Sequence, residues 1–110
     1  MTNAESLSRL CNSVCSAFYP DEDVVETSLY NSGLEPSADA VPKDPAIFRC
    51  AVPLVMGFVE GSRSEGGVSV SVREDAVLKS LRVWCGFFGL RAEEELGSMA
   101  RTIRNGSNLW

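Results

Sequence analysis

From Ala46 to Val59 the chain carries one charged side chain, Arg49. A helix built from such a stretch is apolar nearly all round, and a helix of that kind has to be covered on most of its sides. It is too short and too interrupted to cross a bilayer, so its place is the centre of a helical bundle. Asp44-Pro45 opens it, with an aspartate to cap the first free N–H groups and a proline at the first helical position, where its missing N–H is not needed. Pro53 lies inside the run. It removes the bond to the Arg49 carbonyl and crowds it, at about 3 kcal/mol, so a kink is expected there.

The flanking segments supply the cover. Thr2-Asn3-Ala4-Glu5 has the spacing of a capping box, and Leu7, Leu10, Cys11, Val14, Cys15 and Phe18 then recur at intervals of three and four. This predicts a helix over about residues 3 to 18, ended by Tyr19-Pro20. Asp21 can cap a second helix whose Glu22, Asp23 and Glu26 favour the positive end of the macrodipole, with Val25 and Leu29 inward and Gly33 as the stop. Residues 34 to 43, with two prolines, read as an irregular linker. After the central helix, residues 61 to 67 (GSRSEGG) break the pattern, and Ser71 to Glu74 is a second capping-box candidate. It leads into a helix over about residues 73 to 88, with Val77, Leu78, Leu81, Trp84, Cys85 and Phe88 on one face and Gly89 to close it. Ala92 to Arg104 forms a last helix with Leu96, Met99 and Ile103 inward, and Asn105-Gly106 ends it. The expected fold is a single all-α domain over residues 1 to 110. It is a small bundle of about five helices with one extended loop or short strand at 64–72, and residues 105 to 110 form a C-terminal tail.

Composition removes whole classes of chemistry. The 110 residues include no histidine, so neither a Ser-His-Asp nor a Cys-His pair can be built, and the commonest zinc ligand is missing. Cys11, Cys15, Cys50 and Cys85 sit on apolar helical faces, and no secretory signal precedes them; they read as buried reduced thiols. The GSRSEGG stretch lacks the Lys-Ser/Thr ending of a phosphate loop and does not run from strand to helix. The carboxylate pairs Asp21/Asp23 and Glu93/Glu95 fall at helix starts, where the dipole accounts for them without catalysis. A net charge of −5 does not suit a basic nucleic-acid footprint. The expectation is a protein that is not an enzyme, with no cofactor, no metal, no membrane association and no specific nucleic-acid binding.

Two features point outward. Val68-Ser69-Val70-Ser71-Val72 alternates with the two-residue period of a half-buried strand, yet no second alternating run is available to pair with it. It either joins a neighbouring copy, stays a solvated loop, or finds a local partner such as residues 38 to 42. Charge is also uneven: residues 1 to 60 carry a net of −6 and residues 61 to 110 a net of +1. Opposite biases suit a head-to-tail contact between copies, and solvated surface is the plain alternative. The tail from Ser98 has Arg101 and Arg104 and ends in Leu109-Trp110, which serves as an anchor for a partner or a lid on its own bundle.

The order of elements carries a likeness. A capped helix is followed by an acidic helix ending in Leu-x-x-x-Gly-Leu (Leu29 to Leu34) and an apolar third helix. Then come Ser64-Glu65-Gly66-Gly67-Val68-Ser69-Val70-Ser71 and a long helix. This resembles the small head-tail connector (adaptor) proteins of tailed bacteriophages and prophages. In those proteins a Ser-Glu-x-x-Gly-x-x-Ser-like stretch follows the central helix in an extended loop; here its glycine falls one place early. The resemblance implies a structural subunit that forms a homo-oligomeric ring with head-to-tail contacts, between portal and tail proteins. It would be found in the host bacterial cytoplasm and then in the virion, and would not be secreted. The interface residues it suggests, with the tail, are Ser64, Glu65, Gly66, Gly67, Val68, Ser69, Val70, Ser71, Arg101, Arg104, Leu109 and Trp110. The other expectation is a small cytoplasmic helical module that binds another protein through a groove.

Overall fold

The computed structural model describes residues 1–64 and 74–97. Within them the protein is built from helices: α1 (Asn3–Val14), α2 (Glu22–Asn31), α3 (Pro45–Ser64), α4 (Glu74–Phe87) and the short α5 (Ala92–Glu95). Among the described residues there is no strand, and the single β-type pairing is a bridge between Thr2 and Asp39. The alternating segment at 68–72 and its capping box at Ser71 lie outside the described residues, as do Met99 and Ile103 of the last helix.

The expected caps form. The Thr2 hydroxyl accepts from the Glu5 N–H at 3.1 Å, and the Glu5 carboxylate accepts from the Thr2 N–H at 2.9 Å, which closes the capping box at the start of α1. Asp21 accepts from the Asp23 N–H at 3.0 Å to start α2. Asp44 accepts from the Ala46 N–H at 3.0 Å to start α3, one residue before Pro45. Both stops are glycines in the left-handed region, Gly33 at φ +80 and Gly89 at φ +73. In each case two backbone bonds reach back into the last turn: Leu34 N–H to the Leu29 carbonyl and Gly33 N–H to Tyr30, then Leu90 N–H to Cys85 and Gly89 N–H to Gly86. This pairing satisfies carbonyls that a helix end otherwise leaves free.

Two departures from the sequence expectation have physical reasons. α1 stops at Val14 instead of residue 18, and Cys15 is already extended (φ −135, ψ 103). The Asn12 amide donates to the Ser16 and Phe18 carbonyls, both at 3.1 Å, so a side chain holds the turn that helical bonds would otherwise have made. Released from the helix, Phe18 stacks on Phe58 with ring centroids 4.7 Å apart. Second, α3 does not end near Val59 but continues through Gly61 to Ser64, with Pro53 inside it. Pro53 is exposed, so the carbonyl it leaves without a partner lies on the side that water reaches. Residues 34 to 43 are the irregular linker that the sequence predicts, and backbone bonds to the start of the chain fix it. The Ala38 and Pro36 carbonyls accept from the Asn3 and Ala4 N–H groups at 2.9 and 3.1 Å, and the Ala40 N–H donates to Met1 at 2.8 Å. Residues 38 to 40 are thereby committed to the first turn of α1.

The core assembles as the periodicities require. Leu7, Leu10, Cys11 and Val14 of α1, Val25 and Leu29 of α2, and Val77, Leu81 and Cys85 of α4 are buried. They surround Ile47, Phe48, Cys50, Ala51, Val52, Val55, Met56 and Val59 of α3, the helix that contributes most to the core. Leu54, an apolar residue of the same helix, is only half-buried. Leu96 closes the edge beside α5, and Phe88 packs on Phe48 at 5.5 Å between ring centroids. α2 and α4 each pack on α1 and α3 without an extensive contact with each other.

Candidate interaction surfaces

Of the interface residues suggested by sequence, Ser64 is the last residue of α3. Glu65, Gly66, Gly67, Val68, Ser69, Val70, Ser71, Arg101, Arg104, Leu109 and Trp110 lie outside the described residues.

The outer face of α4 was not legible as a site from its inward stripe. Lys79, Arg82, Val83 and Phe87 recur at three and four residues on the side away from Leu81 and Cys85, and all four are exposed. Val83 and Phe87 retain 60% and 59% of their accessible surface, a large apolar area for a helix exterior. Trp84, half-buried at the edge of this face, holds its ring 5.4 Å from that of Phe87. The signal was present as a second apolar pair, Val83 and Phe87, four residues apart and off the buried stripe. Neither Lys79 nor Arg82 forms an ion pair with a described residue.

The outer face of α2 has a different, acidic character. Asp23, Glu26 and Tyr30 are exposed in line, Tyr30 with 78% of its surface free, and Val24 lies at the edge. Asp21 and Glu22 add charge at the same end. Between α1 and α2 an open groove of about 360 Å³ is lined by Ala4, Glu5, Ser8, Arg9, Pro20, Glu22 and Val25. Its charges are mixed, and the Glu5 carboxylate is already engaged in the capping box, whose hydrogen bond from the Thr2 backbone holds its pKa below the usual value.

The thiols face inward. All four cysteines are free and buried. Burial first, and then the neighbouring Cys50 and Cys15, push the Cys11 thiol up to about 12, so it stays neutral and unreactive at physiological pH. Burial, and then Glu95 and Glu93, raise Cys85 as well. Cys50 Sγ lies 3.1 Å from the Ser32 hydroxyl and donates to the Ser28 carbonyl at 3.9 Å, tying the end of α2 to α3. No group of three or more Cys, Asp or Glu side chains among the described residues is arranged to hold a metal ion. No helix among them is long and apolar enough to cross a membrane.

One polar link was missed altogether. Arg49, the lone charge of the central helix, reaches Glu95 with both Nε and Nη2 at 3.1 Å, so it fastens α5 to α3. The Glu95 carboxylate raises the Arg49 pKa through this bidentate bond. Glu95 therefore has a structural partner as well as a place near a helix start.

No curated protein and no solved structure matches the chain. A family model does match it over residues 1–110, and by that match the chain belongs to the family of unknown function DUF6706.

Proposed function

We propose that this protein is a non-enzymatic structural subunit of the head-tail connector kind, which assembles with copies of itself into a ring between portal and tail proteins. The observation that carries the reading is the position of the Ser64 to Ser71 stretch in the sequence, between the long, largely buried helix α3 and α4, the order found in the proteins that the sequence resembles. The absence of histidine from the sequence and the inward, raised-pKa thiols Cys11 and Cys85 support a role without covalent chemistry. On this reading the chain works in a bacterial cytoplasm and then in a virion, and Val68 and Val70 meet a neighbouring subunit. Replacing both by aspartate should leave helicity and melting temperature nearly unchanged while abolishing self-association or docking to a portal. Unfolding of that double variant would assign the valines to the monomer's own core and remove the reading's main support. Portal, capsid and tail genes are expected beside the coding sequence.

The open groove between α1 and α2 favours a second reading, a small helical module that takes up a segment of another protein. Substituting Ser8 and Arg9 in the groove would abolish the interaction of such a module and leave a connector's assembly intact.

A further inference from the structure

Resting on the connector reading, we infer that the outer face of α4 in one copy docks against the outer face of α2 in the next. The α4 face has an exposed apolar pair, Val83 and Phe87, beside a charged stripe in which Lys79 and Arg82 outnumber Asp75. An apolar area of this kind with a charged border is characteristic of a surface that is covered in the working state. What covers it must carry an apolar or aromatic group and a net acidic surround. The α2 face answers that description, with Tyr30 for the apolar contact and Asp23 and Glu26 on the same face for the charges. Tyrosine suits such a position because its ring packs on apolar groups while its hydroxyl stays hydrated.

The two faces do not meet within one molecule, because each is the exposed side of its helix, turned away from the buried stripes Val25/Leu29 and Val77/Leu81/Cys85. A contact between two different faces is heterologous. It leaves one free face of each kind after every addition, so it propagates from copy to copy and closes into a ring when the rotation per step allows. The charge pattern also disfavours pairing of the α2 face with itself, which would oppose carboxylates to one another.

The test uses two full-length double variants, Lys79→Glu with Arg82→Glu, and Asp23→Lys with Glu26→Lys, followed by sedimentation velocity from micromolar to millimolar protein. The wild type is expected to self-associate, less so as salt rises because the pairs lie at the rim. Each variant alone should associate at least about tenfold more weakly, since like charges then face each other. An equimolar mixture of the two should regain wild-type association, because the reversed α4 face of one is complementary to the reversed α2 face of the other. Phe87→Ser should weaken association with its melting temperature unchanged. A wild type that stays monomeric throughout, variants that associate normally, or a mixture that does not recover would each overturn the inference. So would a Phe87→Ser variant of much lower melting temperature, which would mean that the chain covers this face itself. Portal binding by the same proteins separates the two levels: a chain that docks to a portal but ignores these substitutions keeps the connector role and loses this interface.

Discussion

Leu81 and Leu54 are the same residue type on packed helices, yet one is fully buried and the other half-exposed. Truncating Leu81 to alanine should therefore cost about 2 to 5 kcal/mol in urea denaturation, through lost transfer energy and a residual cavity. Leu54→Ala should cost clearly less, since part of its surface is already hydrated and the site can refill with water. Equal losses would mean that Leu54 belongs to the core after all. The thiols give a second check at this scale. Cys11 is raised to about 12 by burial and its thiol neighbours, so folding disfavours the thiolate. Its stabilising contribution is whole below the pKa of an unfolded thiol and is lost as pH rises from there toward the folded value. The wild type should lose stability across that alkaline range by more than a Cys11→Ala variant does, and native Cys11 should resist iodoacetamide until the protein unfolds. Rapid alkylation of Cys11 at neutral pH would contradict the buried, neutral state.

At the level of elements, the starts of helices were legible and several of their ends were not. Thr2, Asp21 and Asp44 carry their capping function in their own side chains, and Gly33 and Gly89 carry their stop in the freedom of φ, so local sequence is sufficient for them. The end of α1 depends on the Asn12 amide reaching two carbonyls beyond the helix, and the order in residues 34 to 43 depends on donors at the other end of the chain, Asn3 and Ala4. Such tertiary bonds leave no periodic trace. Thr2→Ala should destabilise the protein by about 1 kcal/mol, as loss of an N-cap generally does, read as a shift in the urea midpoint at constant slope. Because the Thr2 backbone bond lowers the Glu5 pKa, the carboxylate's share of the cap is complete above the unfolded glutamate value and fades as pH falls through the folded one. The difference between wild type and Glu5→Gln should accordingly shrink on acidification. Gly33→Ala and Gly89→Ala meet no neighbouring atom within 4 Å, so each should show only the backbone penalty of the left-handed region, about 1 to 2 kcal/mol.

For the molecule as a whole, the all-α bundle around residues 46 to 59 was legible because one nearly uncharged helix leaves few arrangements open. The surfaces were harder to find. A buried stripe announces itself by its period, whereas Val83 and Phe87 become conspicuous only once Leu81 and Cys85 are known to face the other way. The Arg49–Glu95 bond, between residues 46 positions apart in sequence, needed the packing of α3 and α5 to be visible at all. Part of the acidic excess of residues 1 to 60 is located at the start and outer face of α2, in Asp21, Glu22, Asp23 and Glu26. The most direct measurement is the mass of the particles formed when the full-length chain is added to purified rings of the portal protein that the proposal expects to be encoded beside it, by native mass spectrometry. The account predicts one discrete heavier species, a portal ring carrying a fixed number of copies. A portal of unchanged mass at saturating protein, with the chain remaining free, would contradict it.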